Sequence, residues 1–599
     1  MNPGKVYLFA VLAAGALLLT PVSHAQAPQI VAVGASAVFP SAAIAAVTAD
    51  PVTGGTAPCG TNFWSAGSSI AQGIDARNGS IPAEGGNVWV AWDNSTSPTL
   101  VCVYFSVDDV VGQRLFLGQS ASGNGTLNLT SAALTTAGAN KVSFVTDTAT
   151  TGLPSAVYNL VNGAHFNVDI TDIRPEDGQF AYGRAACNRS SPQDVSCFGY
   201  GPLGGIGTAI LSSYSQTSAQ VIAYSISGTD PFTGLTIPPF NTIAVGAAPI
   251  VIFYNKSDTT AGGLGNLLPT NINHTTAAAL WSGLIGINDE LVGFSTGSPK
   301  PLHLVLRDPL SGTYNAFEWQ VIHTRDHHGG DYSQDYNFGP TPANCFTPPA
   351  SPTYAPPTVA CANPANVTGS QGATYGGLRT RAIGTTEEIA AVNSANNPNS
   401  IGYAFWSLGT FGGKANIKYL TLNGVDPIYP GYSTNNGNFP SCTGAFNLGT
   451  FSCSGPLPTF DNVKNGNYRT WFLIRAVIYQ SYAPPSTGPS VQSLILAAQD
   501  QAHSNIPDFV PSVYCASGSG GVCTGGTTVG LPVFRTHYAV SGVQANNGTT
   551  SPSTGYCAPD QTAPNCVEEG GEMAGEVFFT NQDQDYFGLT GNEFVTWIQ

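Results

Sequence analysis

The segment 307–313 (Arg-Asp-Pro-Leu-Ser-Gly-Thr) combines residue types that bind a tetrahedral anion. Arg307 supplies a permanent charge on a planar fork of donors. Ser311 and Thr313 add hydroxyl donors, and Gly312 lets the backbone approach a ligand closely. An apolar run precedes the segment and a helix is predicted over 314–322, so unpaired N–H groups of the first helical turn would face the same point. The pattern favours an oxyanion site, although Ser and Thr also cap helices that bind nothing.

Asp172 is the second candidate, and it follows the apolar segment 166–170 and Thr171. An ionised carboxylate only accepts hydrogen bonds, so it repels an anion unless the ligand brings a proton. Phosphate carries a proton near neutral pH and sulfate does not. Leaving a buried acceptor unpaired costs about 10⁴-fold in selectivity, so Asp172 predicts phosphate or arsenate over sulfate. The alternative is a structural role, in which Asp172 caps a turn or pairs with Arg307.

Short apolar runs alternate with helical patterns and would position these residues. This alternation predicts an α/β fold with mainly parallel pairing. The predicted strands are 29–33, 88–92, 101–105, 166–170, 243–254 and 302–306. The predicted helices are 41–47, 275–282, 387–393, 471–482 and 491–502, and 110–117 fits either a helix or a strand. Residues 118–165 are rich in Ser, Gly, Thr and Asn, which predicts an insertion with weak hairpins.

The first 27 residues have the pattern of a signal peptide: Lys5, a short apolar segment, then small residues around Ala25. We therefore predict an exported protein, periplasmic or extracellular. No later segment is long and apolar enough for direct membrane insertion. The net charge of −16 argues against nucleic acid and anionic membranes as partners.

The twelve cysteines fit an oxidising compartment. Pairing of sequence neighbours is a hypothesis, because sequence does not determine connectivity. The pairs would be Cys187/Cys197, Cys345/Cys361, Cys442/Cys453, Cys515/Cys523 and Cys557/Cys566, with Cys59 and Cys102 remaining. The short segments between the paired cysteines predict that these disulfides link surface loops. No metal site is predicted, since the cluster of His323, His327 and His328 is most simply an exposed polar loop.

Several segments, in order over roughly 29–480, resemble one family. Residues 34–40 (Gly-Ala-Ser-Ala-Val-Phe-Pro) look like Gly-Ala-Gly-Ala-Thr-Phe-Pro, and 307–313 looks like Arg-x-x-x-Ser-Gly-Thr. Residues 169–172, 249–255, 280–283 and 400–403 add weaker matches. The chain thereby resembles the periplasmic phosphate-binding proteins of ABC transporters, which have the type 2 periplasmic binding protein fold.

The resemblance implies an α/β protein of two lobes, with loop-rich, disulfide-bearing insertions. Lobe one would comprise 28–248 and the return 425–599, which includes a C-terminal extension, and lobe two would be 249–424. Inorganic phosphate or a related oxyanion would bind between the lobes and pass to ABC permease subunits, with no catalysis and no cofactor. Carried over by position, its contacts would be the backbone of Val38 and Phe39, then Asp172, Arg307, Ser311, Gly312 and Thr313.

The chain departs from the family at two pocket positions. Val38 stands where the family has Thr, and the Gly-Ser-Ser-Gly-Gly turn has no clean counterpart in 106–114. If Gly112 keeps its place, Asp109 falls where a pocket serine is expected, and a second carboxylate there is unfavourable beside a dianion. Either Ser106 replaces that serine, or Asp109 points away, or the ligand is not phosphate or is bridged by a cation. The second hypothesis is therefore a surface or structural protein whose anion pocket is altered.

Overall fold

The computed structural model describes residues 28–49, 55–77, 84–173, 175, 178, 224–226, 228–281, 285–307, 310–317, 320–321, 378–382, 384–468, 470–515 and 528–530. Within these ranges the protein is a mixed α/β molecule built on one large mixed sheet. The predicted α/β class is confirmed. The predicted signal peptide, the His323–His328 cluster and most of the C-terminal extension lie outside the described residues.

The strands of this part of the chain are short apart from one. They are β1 (Ile30–Gly34), β2 (Asn62–Ala66), β3 (Ala71–Ile74), β4 (Glu84–Gly85), β5 (Asn87–Trp92), β6 (Val101–Ser106), β7 (Thr126–Leu129), β8 (Val168–Thr171), β9 (Phe240–Asn255), β10 (Asn271–Ile272), β11 (His303–Arg307), β12 (Leu378–Ala382), β13 (Ser400–Phe405), β14 (Ile417–Tyr419), β15 (Thr421–Leu422), β16 (Ser441–Thr443), β17 (Ser452–Ser454), β18 (Trp471–Tyr479), β19 (Val510–Pro511), β20 (Val513–Cys515) and β21 (Thr528–Gly530).

The helices lie between the strands and range from 4 to 14 residues in length. They are α1 (Phe39–Val47), α2 (Asp109–Leu117), α3 (Ser155–Val161), α4 (Leu264–Leu267), α5 (His274–Trp281), α6 (Asn288–Val292), α7 (Gly312–Phe317), α8 (Thr385–Asn393), α9 (Leu408–Phe411), α10 (Asp461–Lys464) and α11 (Val491–Ser504). Single 3₁₀ turns occur at Ser131–Leu134 and Tyr432–Thr434. The segment 110–117, which fits either a helix or a strand in sequence, is therefore helical.

The large sheet has the order β12-β11-β13-β9-β18-β8-β1-β6-β5-β2, with β14 and β19 also paired to β9. Strand β9 spans both halves of this sheet. Its residues up to Pro249 pair with β18, and from Ile250 onward they pair with β13. We call the β18-to-β2 side the first half and the β13-to-β12 side the second half.

Pairing in this sheet is mixed, so the prediction of mainly parallel pairing was wrong. Strand β1 is parallel to β6 and β8, and β11 is parallel to β12 and β13. The pairs formed by β9, β18, β5 and β2 are antiparallel. The periodic pattern along the chain identifies strands, but pairing direction depends on how distant strands return to the sheet.

The segment 471–482, predicted as a helix, instead forms β18 over Trp471–Tyr479. Its run of apolar residues is buried almost throughout, because β18 lies between β9 and β8 at the centre of the sheet. A continuous apolar run of this length fits a buried strand and a buried helix equally well.

The predicted insertion 118–165 contains no hairpin. Its strand β7 pairs with β3, more than fifty residues earlier. The rest is the 3₁₀ turn Ser131–Leu134, helix α3 and irregular chain. The strand partner of β7 therefore comes from outside the segment 118–165.

Two disulfides lie in the described part of the chain. Cys442–Cys453 joins β16 to β17, as predicted, and staples a surface hairpin. Cys59–Cys102 joins the two cysteines that neighbour pairing left over. Both of its residues are fully buried, so this bridge lies in the core. The remaining predicted pairs lie wholly or partly outside the described residues. None of the helices described here is long and apolar enough to span a bilayer.

A candidate anion-binding cleft between the halves of the sheet

A cavity of about 80 Å³ lies where the first and second halves of the sheet meet. Its walls are rich in hydroxyl side chains from both halves, with one carboxyl and one ammonium group among them. The polar lining residues are Ser36, Asn87, Ser106, Lys141, Ser143, Asp172, Thr313, Thr385, Thr386, Ser407 and Thr410. A cavity of this size and lining suits a small polar ligand.

The ends of four strands position the cleft residues. Ser36 follows β1, Ser106 ends β6, Asp172 follows β8 and Arg307 ends β11. Since β1, β6 and β8 run parallel to one another, their carboxyl ends meet at one edge of the first half. Gly34 lets the chain turn there, because its φ of 126° suits glycine alone. The edge where parallel strands end is the usual ligand site of such sheets.

Arg307 lies directly behind the cleft wall and is almost fully buried. Its Nη1 donates to Thr313 Oγ1 at 3.2 Å and to Thr385 Oγ1 at 2.6 Å. A guanidinium group only donates hydrogen bonds, so both threonine oxygens act as acceptors and their O–H groups remain to donate elsewhere. Because both threonines line the cleft, the positive charge of Arg307 polarises donors that face a ligand.

Asp172 brings a buried carboxyl group to the same wall. Its Oδ1 has no hydrogen-bond partner in the described part of the chain, and the residue is only 3% exposed. Burial, the charge of nearby Asp109 and a hydrogen bond between the Asp172 and Asp109 carboxyl groups raise the pKa of Asp172 well above its usual range, and the charge of Arg307 opposes only part of this. The protonated carboxyl is therefore stabilised, and it can donate a hydrogen bond as well as accept one.

Asp109 points inward at the start of α2. Its Oδ2 accepts from the backbone N–H of Gly312 at 2.8 Å. Its Oδ1 accepts from the N–H of Asp172 at 2.8 Å and from the hydroxyl of Thr171 at 2.9 Å. Asp109 is not part of the cleft lining, and its carboxylate lies on the backbone amides of Gly312 and Asp172.

The residues predicted from the family pattern occupy different places around the cleft. Phe39, Ser106, Asp172 and Thr313 are part of its lining. Arg307 contacts it through the two threonines. The other predicted residues are not in the lining: Val38 is buried before α1, the Ser311 hydroxyl is buried without a partner in the described residues, and the Gly312 amide donates to Asp109.

Sequence reasoning missed Lys141, Thr385 and Ser407 in the lining. Lys141 is exposed and is the single Lys or Arg between residues 115 and 173, which is a signal that could have drawn attention to it. Thr385 begins α8, and its contact with Arg307 joins positions 78 residues apart. A motif read along the chain cannot report such a contact.

No protein-family model and no curated protein matches the chain. Among solved structures it is similar to a high-affinity periplasmic phosphate-binding protein bound with phosphate, at 12% identity over 81% of this chain and 90% of that chain, with a TM-score of 0.31. An ancestral soluble variant of the human phosphate-binding protein has 10% identity, the same coverages and a TM-score of 0.31. An ABC-type phosphate transport receptor from Vibrio cholerae has 14% identity over 41% of this chain, with a TM-score of 0.21, and the match spans only 62% of that receptor. These likenesses concern the fold alone.

Proposed function

We propose that this chain is an exported solute-binding protein that captures inorganic phosphate in the cleft and delivers it to the permease of an ABC-type importer. The observation that carries the proposal is the placement of Arg307 behind Thr313 and Thr385. The positive charge of a buried cation, acting through two hydroxyl groups that it polarises, favours an oxyanion over a neutral or cationic solute. No bond is made or broken in this function.

Asp172 favours phosphate among the oxyanions. A phosphate ion carries oxygens that accept hydrogen bonds from hydroxyl groups, and it also carries a proton that it can donate to a carboxylate. Above its raised pKa, Asp172 is an ionised acceptor on the same wall as Thr313, and its Oδ1, which has no partner in the described residues, suits that proton. Sulfate has no proton to donate when Asp172 is ionised, so the carboxylate would repel it.

Export is supported by chemistry that is independent of the cleft. The bridges Cys59–Cys102 and Cys442–Cys453 are stable in an oxidising compartment, which includes the periplasm and the cell exterior. The permease partner follows from the family resemblance.

The alternative is a protein on the same scaffold whose cleft no longer binds oxyanions. Asp109 favours it, because this carboxylate already accepts the amide of Gly312, a donor that the family resemblance assigns to the ligand. Asp108 likewise pairs with Arg307 at 2.9 Å. The two functions differ in whether phosphate binds with a defined stoichiometry.

Isothermal titration of the phosphate-stripped protein tests the proposal. At a pH above the raised pKa of Asp172, we expect one phosphate per chain, with binding retained in excess sulfate. Thr313→Val keeps the shape of the side chain and removes its hydroxyl, and it should weaken phosphate binding about 10- to 100-fold. Thr276→Val, on α5 away from the cleft, is the matched control. A folded wild-type protein that releases no heat with phosphate would favour the alternative.

A further inference from the structure

Residues 108–110, at the start of α2, form three polar contacts across the two halves of the sheet. Asp108 Oδ1 pairs with Arg307 Nη2 at 2.9 Å. Asp109 Oδ2 accepts from the Gly312 amide at 2.8 Å, and the Val110 amide donates to the Leu310 carbonyl at 3.2 Å. The first half of the molecule thus places the carboxylate of Asp108 on the Arg307 cation and the carboxylate of Asp109 on the Gly312 amide.

The carboxylate of Asp109 is closely confined. A Cβ added to Gly312 would lie 2.5 Å from Asp109 Oδ2 and 1.7 Å from Asp172 Oδ1, so both carboxyl groups pack against the same glycine. Asp109 is only 3% exposed and uses both oxygens. One of the two carboxyl groups, Asp172, has an oxygen without a partner in the described residues and belongs to the cleft wall.

We propose that Asp109 is a specificity-determining residue of the cleft: its carboxylate is an internal anion that holds the Gly312 and Asp172 amides and thereby weakens the binding of multiply charged oxyanions. This inference rests on the proposed function in taking phosphate as the ligand. If Gly112 keeps its place in the family pattern, Asp109 stands where that pattern has a serine, which would leave the amides free.

The size of the effect follows from charge separation. Asp109 is outside the cleft lining and Asp172 is part of it, so a ligand bound in the cleft would contact Asp172 and not Asp109. A separation of roughly 6 Å at an effective dielectric constant of about 20 weakens the binding of a single negative charge about 100-fold, and of a dianion more. Relaxation and solvent in the cleft reduce this figure, so about 10- to 100-fold is expected for phosphate.

Titration of phosphate into Asp109→Ser and Asp109→Asn tests this inference. Asp109→Ser removes the charge and frees both amides, and Asp109→Asn removes the charge while keeping an acceptor. The control is Asp426→Asn, because Asp426 is also buried and accepts two backbone amides, Ile428 and Tyr429, but lies outside the cleft lining. Circular dichroism establishes that each variant is folded, and phosphate-induced shifts of Tm give a second measure of binding.

We expect both Asp109 variants to bind phosphate about 10- to 100-fold more tightly than the wild type, and Asp426→Asn to bind as the wild type does. If the wild type does not bind phosphate and Asp109→Ser does, the inference holds and the proposed function fails. If the wild type binds and both folded Asp109 variants bind equally or more weakly, the inference is overturned and the proposed function stands. If neither the wild type nor the Asp109 variants bind phosphate, both the inference and the proposed function are overturned.

Discussion

At the scale of single residues, the cleft is governed by carboxyl groups whose protonation differs from that of free side chains. Burial raises the pKa of Asp169, with a further contribution from Asp109, and it raises that of Asp172 in the same way. Burial also raises the pKa of Glu388, close to Arg307, to about 8. The sequence interpretation took Asp172 as an ionised acceptor, whereas its surroundings stabilise the protonated form.

The raised pKa of Asp172 leads to a prediction about sulfate. Below that pKa the protonated carboxyl can donate to a sulfate oxygen, and above it the carboxylate repels sulfate. We expect sulfate affinity to fall at least about 10-fold as the pH rises from about 5 to about 8.5. Because sulfate keeps its charge over this pH range, a change in its affinity reports on the protein and not on the ligand.

Isothermal titration with sulfate at both pH values, for the wild type and for Asp172→Asn, checks this. Asp109, Asp169 and Tyr104 also lie around Asp172, so only the part of the pH dependence that Asp172→Asn abolishes is assigned to Asp172. The same slope in the variant would contradict the assignment.

Glu388 should make stability depend on pH. Its pKa is raised from 4.5 to about 8, mainly by burial, so the folded state binds more protons than the unfolded state between these values. Its contribution to stability is therefore fully present below about pH 4.5 and is lost as the pH rises through about 8. Asp508, with a pKa raised by burial to about 7, acts in the same direction.

We expect the Tm of the wild type to fall between about pH 5 and about pH 8. The unfolding free energy of Glu388→Gln should fall less steeply than that of the wild type, by a difference on the order of a few kcal/mol over this window. Scanning calorimetry at three pH values measures both slopes. Equal slopes for the two proteins would show that Glu388 titrates normally in the folded state.

At the scale of elements, close packing of α2 on β1 brings Asp109 to the backbone amides of Asp172 and Gly312. Gly112 lies against the backbone of Gly34, and a Cβ at Gly112 would be 2.6 Å from the Gly34 Cα and 2.9 Å from Asp169 Oδ1. Only glycine at this helical position lets α2 approach the strand so closely. The same approach places the start of α2 beside Arg307 and Gly312.

Gly112→Ala separates helix propensity from packing. Alanine in a helix interior is favoured over glycine by about 1 kcal/mol. Here the new methyl group would meet backbone atoms that cannot move away, so we expect a net loss of about 2–3 kcal/mol of unfolding free energy. Urea denaturation measures it, and Gly431→Ala is the control, because a Cβ there meets nothing within 4 Å. A stabilised Gly112→Ala protein would show that α2 can shift away from β1 freely.

At the scale of the whole molecule, two segments that lie outside the large sheet meet beside the cleft. The loop 139–147, which carries the lining residues Lys141 and Ser143, contacts the hairpin closed by Cys442–Cys453. The Phe446 amide donates to the Phe144 carbonyl at 2.6 Å, and the Phe144 and Phe451 rings pack edge to face at 4.9 Å. Asn447 exchanges two hydrogen bonds with the backbone of Thr146. These contacts join the two halves outside the sheet.

Removing the Cys442–Cys453 disulfide should therefore loosen the loop 139–147, which is distant in sequence but contacts the hairpin. In Cys442→Ser with Cys453→Ser we expect the amides of Phe446 and Thr146 to exchange hydrogen at least about 10-fold faster, because the hairpin gains freedom. Exchange measured by mass spectrometry on peptides covering 139–147 and 441–454 checks this, with β1 as the internal control. Faster exchange in the hairpin alone would show that the loop is held by other contacts.

The sequence by itself determined the local features of this protein. The strand ending at Arg307, the hydroxyl of Thr313 after it, the buried strands β1, β6 and β9, and the Cys442–Cys453 staple all follow from residues close together in the chain. Residue type and spacing express local backbone preference and burial, which is why these predictions agree with the structure.

Only the tertiary structure decided what surrounds those features. Asp108 and Asp109 reach Arg307 and Gly312 from 199 and 203 residues away. Desolvation and like charge then raise the pKa of Asp172, and the central position of β18 makes a strand of a segment that fits a helix equally well. Long-range contacts and the loss of water set these properties, because an electrostatic environment depends on distance in space and not on spacing along the chain.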